Sequence, residues 1–213
     1  MSNAMSAHHL RGAIFLLVAF VSLRGMPGSR APERMVITSD LDADGRVERV
    51  ELDAGRDPSM TVCHSGVCLW RGVPRKWRPW KLTAADVDGD GSREMVVGVH
   101  KSTRFFPKPH NCLFVYGWDG RRAFPKWLGS SLSKPFTDFA FADLAGDRAQ
   151  ELVSLEIMRS GRKCIVLYSW SGFGFDFQWQ RGSWRSARLV ERNRGRVVVE
   201  ADGKRIVLRR GVP

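Results

Sequence analysis

Asp86-Val87-Asp88-Gly89-Asp90-Gly91-Ser92-Arg93-Glu94 carries three aspartates at alternate positions and a glutamate four residues after the last of them. Four carboxylates in one short turn repel one another unless a cation sits among them. Oxygen-only ligands on a flexible loop, with glycine at the bend, suit Ca²⁺ rather than a transition metal. The expected ligands are the side chains of Asp86, Asp88, Asp90 and Glu94 and the carbonyl of Ser92. The same spacing occurs earlier, where Asp40, Asp42, Asp44 and Glu48 would join the Arg46 carbonyl. A third copy keeps Asp143, Asp147 and Glu151 but has Ala145 for an acid and Arg148 for the glycine. It is expected to be weak or vestigial, with the Arg148 guanidinium standing where an ion would otherwise sit.

A second chemistry is cationic and aromatic. Trp70–Lys81, Lys101–His110 and the arginine-rich stretch 181–196 interleave basic side chains with rings or prolines. Candidate ligand-binding residues are Arg75, Trp77, Arg78, Trp80, Lys101, Arg104, Lys108 and His110. Cations beside rings suit sugars, phosphates or single-stranded nucleic acid. The competing reading is a solvated rim whose long stems cover tryptophans packed beneath. Catalysis has little to build on. No Ser-His-Asp set is visible, and Asp138 and Glu156 are stray carboxylates that a glycan-acting hydrolase or lyase would have to use.

The elements that position these residues are short β-runs. Each acid loop follows one (35–38, 81–84, 137–141) and precedes another (47–52, 95–99, 152–157). An EF-hand is rejected, because its loop is flanked by helices. Hairpins follow at Ser65-Gly66, Asp119-Gly120, Ser171-Gly172 and Asp202-Gly203, dipeptides in which glycine tolerates positive φ. Four units emerge, about 34–79, 80–135, 136–183 and 184–213, the last without an acid loop. Units of about 40–50 residues with up to four strands are the size of propeller blades. The expected fold is all-β: a four-bladed propeller, with an open β-sandwich as the alternative. The eight tryptophans would mostly pack between blades.

Asp-x-Asp-x-Asp-Gly-x-x-Glu between β-runs, repeated along the chain, resembles the FG-GAP/VCBS-type repeats of integrin-like β-propellers. The resemblance covers residues 35–180. It implies Ca²⁺ in loops between outer strands of each blade, and adhesion, ligand binding or scaffolding more often than catalysis.

The chain's ends and charge complete the reading. Ala13–Leu23 is apolar, follows His8, His9 and Arg11, and is shorter than the roughly 20 residues that cross a bilayer. Residues 1–33 are therefore expected to be a signal peptide, or an anchor tethered through residues 11–23, followed by a linker rich in glycine and proline. Four cysteines fit export, and Cys63 and Cys68 flank a hairpin turn where a cross-strand bridge is feasible. A zinc site on Cys63, His64 and Cys68 lacks a second ligand pair. The formal charge of +12 persists despite the acid loops and favours anionic partners. The expectation is an exported, Ca²⁺-stabilised, non-catalytic binding or scaffold module for an anionic envelope polymer, glycan or protein. A carbohydrate-active enzyme is the alternative. Nucleic-acid binding ranks third, and the export signal weighs against it.

Overall fold

In the computed structural model, which describes residues 34–193 and 195–211, the chain forms four antiparallel sheets in sequence order. The leader expected over residues 1–33 lies outside the described residues. Blade one runs β1 (Arg34–Ser39), β2 (Glu48–Asp53), β3 (Met60–His64) and β4 (Val67–Gly72). A single turn of 3-10 helix, Arg75–Trp77, leads to blade two. That blade is β5 (Pro79–Ala85), β6 (Glu94–Lys101), β7 (His110–Trp118) and β8 (Ala123–Gly129). Blade three is β9 (Phe136–Ala142), β10 (Glu151–Ile157), β11 (Lys163–Trp170) and β12 (Phe175–Trp184). Blade four has three strands: β13 (Ala187–Asn193), β14 (Arg196–Ala201) and β15 (Lys204–Arg209). The sheets are arranged as a four-bladed β-propeller, as the repeat pattern predicts, and the sandwich alternative falls away.

Strand alternation explains how the blades hold together. Successive side chains point to opposite faces, so a strand buried on both faces feeds two cores. On β6, Met95, Val97 and Val99 join the core shared with blade one, while Val96 joins the core shared with blade three. On β11, Cys164, Val166 and Tyr168 face blade two, while Ile165 and Leu167 face blade four. Blade one contributes Val50, Leu52, Met60 and Val62 to the first core, and turns Arg49 and Glu51 away from it. All eight tryptophans pack in or against these three cores. Gly98 is required by this packing: a Cβ there would stand 2.8 Å from the Trp80 ring.

The first strands of the blades meet nearest the axis, β1 against β5 and β9 against β13. The acid loops therefore join the first and second strands, the two closest to the axis, and not outer strands as the resemblance implies. Near the axis, Lys81 of β5 donates to Asp138 of β9 and, at 2.5 Å, to the Phe139 carbonyl. Burial pushes the Lys81 ammonium below its ordinary range, and nearby Arg192 adds to this, while Asp138 opposes both. The antiparallel meander then sorts the connections. The three acid loops open on one rim. The β4–β5 and β6–β7 connections, which hold the basic-aromatic stretches, open on the other.

Candidate functional site

The acid loops share one backbone design. Positive φ recurs at the fourth residue (Ala43, Gly89, Gly146) and at the sixth (Gly45, Gly91, Arg148). In each loop the closing glutamate reaches back to the backbone N–H of the second residue. Glu48 Oε2 accepts from Leu41 at 3.0 Å, Glu94 from Val87 at 3.0 Å and Glu151 from Leu144 at 2.7 Å. The fifth-position aspartate accepts from the N–H two residues on: Asp44 from Arg46 (2.8 Å), Asp90 from Ser92 (2.7 Å) and Asp147 from Ala149 (3.1 Å). The loops also lock together around the rim. Arg93 N–H donates to the Leu41 carbonyl at 2.9 Å, and Gln150 N–H donates to the Asp86 carbonyl at 2.7 Å.

This geometry gathers two carboxylate clusters that could hold a metal ion: Asp40, Asp42 and Glu48, and Asp86, Asp88 and Glu94. The ligand atoms in each lie within 4.8 Å of one another. Asp44 and Asp90 stand outside these clusters, with one oxygen used in the turn. At the first cluster, Oδ1 of Asp40 and Oδ1 of Asp42 are buried without a hydrogen-bond partner. An acceptor left that way costs about 1–3 kcal/mol, which a cation would relieve. Burial, reinforced by Asp42 and Asp44, pushes the Glu48 carboxyl up. Burial does the same to Asp86 against the Gly89 and Gly91 N–H groups, with Asp90 and Asp88 adding to it. Both the orphaned oxygens and the crowded charge fit a hard divalent cation bound by these residues.

The other two loops each meet a cation from elsewhere in the chain. Lys126 of β8 donates to Asp88 Oδ2 at 2.6 Å and to Glu94 Oε1 at 2.7 Å. Burial opposes its charge, but those two hydrogen bonds outweigh it and hold the ammonium above its ordinary range. In the third loop the guanidinium beside Asp143 belongs to Arg210, which follows β15, and not to Arg148 as the sequence suggests. Arg148 supplies only the positive-φ backbone of the bend. Local spacing signals neither Lys126 nor Arg210, because both arrive from other strands.

On the opposite rim, Lys76, Trp77, Arg78, His100, Lys101, Ser102 and Pro109 line a cleft of ≈ 400 Å³. Three sequence candidates, Trp77, Arg78 and Lys101, therefore converge, joined by Lys76 and His100. Arg78 has φ +49°, a left-handed conformation rare for arginine, and its carbonyl accepts from His100 N–H at 3.2 Å. Lys101 Nζ lies 5.0 Å from the Trp77 ring centroid, within cation–π range. Among the described residues, Lys76, Arg78 and Lys101 form no ion pair with a carboxylate.

The remaining candidates divide. Arg104 and Lys108 stand on the β6–β7 connection next to the cleft. His110 is held by the Lys108 carbonyl at 2.9 Å and the Ser130 carbonyl at 2.5 Å. Arg75 N–H donates to Asp57 Oδ1 at 3.0 Å. Trp80 packs edge-on against Phe139 in the core, away from the cleft.

No known family matches this chain, and no curated protein matches it. The functional reading therefore rests on geometry. Asp138 is tied to Lys81. Glu156 is fully buried and accepts from the hydroxyls of Tyr168 (2.6 Å), Ser154 (2.7 Å) and Ser133 (2.8 Å). That network pins the β8–β9 connection to blade three. Cys63 and Cys68 are joined in a disulfide between β3 and β4, and Cys112 and Cys164 are buried thiols.

Proposed function

We propose that the protein is an exported β-propeller of FG-GAP/VCBS type, stabilised by two structural Ca²⁺ ions. In this reading it is a non-catalytic binding module that holds an anionic envelope polymer, glycan or protein through its cationic cleft. The observation that carries the binding role is the convergence of Lys76, Arg78 and Lys101 beside Trp77 without a carboxylate to neutralise them. Cations gathered without counter-charge raise the local concentration of anions, and a ring beside them gives a sugar or other planar group a face to stack on.

Calcium is favoured because both clusters offer only oxygen ligands on irregular loops. Ca²⁺ would stabilise by binding the folded chain alone. The Cys63–Cys68 disulfide supports an oxidising compartment.

The test is retention on an immobilised sulfated polysaccharide under a salt gradient, with reducing ends measured in parallel. The wild type should be retained without releasing reducing ends. Lys76→Ser/Arg78→Ser should elute at clearly lower salt. Equal elution of the two would refute the cleft as the binding site, and released reducing ends would replace the module with a hydrolase or lyase.

A further inference from the structure

The β6–β7 connection carries two adjacent phenylalanines into solvent, Phe105 at 76% and Phe106 at 46% exposure. Large apolar side chains held side by side in water call for a partner phase. Their exposure is built into the loop. Thr103 N–H donates to the Phe106 carbonyl at 2.9 Å, and Phe106 N–H donates to Thr103 Oγ1 at 3.2 Å. The Phe106 ring meets His110 edge-on at 5.2 Å. Pro107 and Pro109 fix φ on either side of Lys108.

Charge points to the same partner. Arg104 and Lys108 share the loop with the phenylalanines, Lys101 ends the strand that leads into it, and the cleft with Lys76 and Arg78 lies alongside. Residues 58–85 and 95–118 contain no Asp or Glu. Carboxylates that do reach this rim are already engaged: Asp53 pairs with Arg56, Asp57 accepts from the Arg75 N–H, and Asp202 accepts from the N–H groups of Arg185 and Ser186. The acid loops stand on the far rim, so the whole molecule presents its cationic side toward an anionic surface.

We infer that this rim docks on an anionic lipid bilayer, with Phe105 and Phe106 entering the interface and the neighbouring cations holding headgroup phosphates. A soluble polyanion offers the charge but no apolar phase for the two rings. A bilayer offers both, and interfacial binding sums apolar burial with attraction to anionic lipids. The inference rests on the cationic cleft of the preceding section and names the surface it faces.

The test is flotation of the full chain with phosphatidylcholine vesicles and with mixed phosphatidylcholine–phosphatidylglycerol vesicles, alongside binding to soluble polyphosphate and single-stranded DNA. Because the Ala13–Leu23 run can itself partition, the decisive comparison is with full-length Phe105→Ser/Phe106→Ser. Both changes are in an exposed loop, and an unaltered melt confirms that the variant folds. The wild type is expected to bind the anionic vesicles and to bind neutral vesicles far less. The double variant should bind the anionic vesicles about tenfold more weakly, with polyphosphate binding unchanged. Equal flotation of wild type and variant, or equal binding to neutral vesicles, overturns the inference. A chain that binds polyphosphate or DNA but ignores vesicles also overturns it and leaves the cationic cleft standing. A chain that binds none of these sinks both readings.

Discussion

Glu51 shows how a single side chain couples this fold to pH. It is buried on β2, and Arg34 and Arg49 both donate to it. The Arg34 hydrogen bond holds its carboxyl below the ordinary glutamate range; burial pushes the other way, and Arg49 reinforces the lowering. A depressed carboxyl stabilises the fold above its unfolded pKa, about 4.3, and that contribution is lost as pH falls through the folded value. Glu51→Gln should therefore lower the melting temperature at neutral pH by the equivalent of about 1 kcal/mol or less, since both arginines are half exposed. The gap to wild type should close in acid, and a gap independent of pH would contradict this account. Arg148, at φ +85°, pays for a conformation that glycine adopts freely. Arg148→Gly relieves that strain but adds glycine's backbone entropy, for a net gain of roughly 0.5 kcal/mol, and should raise the melting temperature by about 1–2 °C, read by calorimetry.

Residue spacing made the acid loops legible, because aspartates at alternate positions and a closing glutamate are local signals. What the spacing merged was two jobs. The fifth-position aspartates, Asp44 and Asp90, use one oxygen to build the turn, while the first, third and ninth residues form the clusters. Lys126 and Arg210 left no local trace, since pairing between strands and between blades delivers them.

At the scale of elements, the hairpins followed directly from alternation and from glycine turns, whereas the expected unit limits at 79/80 and 183/184 fall inside β5 and β12. β8 did not follow from alternation, because Pro125 interrupts its pattern. An outermost strand tolerates that residue, since its outward N–H has no ladder partner to lose. Bulges were equally hidden. The register shifts between Pro79 and Lys81 on β5, and opposite Phe136 and Asp138 on β9. Such shifts re-aim side chains, and Lys81 and Asp138, which meet across two blades, lie at them. Asp138→Asn leaves Lys81 and Arg192 without their shared counter-charge. It should cost about 2 kcal/mol, less than a fully buried pair because solvent reaches both partners in part. Chemical denaturation measures this, and a loss indistinguishable from that of a surface substitution would mean that the pair is dispensable.

At the scale of the whole molecule, the propeller separates two chemistries that the linear sequence interleaves. Its meander brings the acid loops to one rim and the cationic connections to the other. The sequence's net charge of +12 therefore describes neither face. Blades two and three bury both faces, whereas blade one turns the Arg34–Glu51–Arg49 cluster, and blade four the Arg188–Glu200 pair, away from the apolar cores. With fewer apolar contacts holding blade one, its backbone tie from Arg93 N–H to the Leu41 carbonyl matters more, as does the Gly211 N–H to Leu144 carbonyl tie for blade four, and a cation in each of the first two loops would reinforce that rim.

Calorimetric titration of the metal-free protein with Ca²⁺ tests this most directly. Two ions should bind per chain, the one at Asp86, Asp88 and Glu94 more weakly because Lys126 must be displaced, and Asp40→Ala/Asp42→Ala should leave one. Absence of Ca²⁺ binding, or a stoichiometry unmoved by that double substitution, would contradict the account.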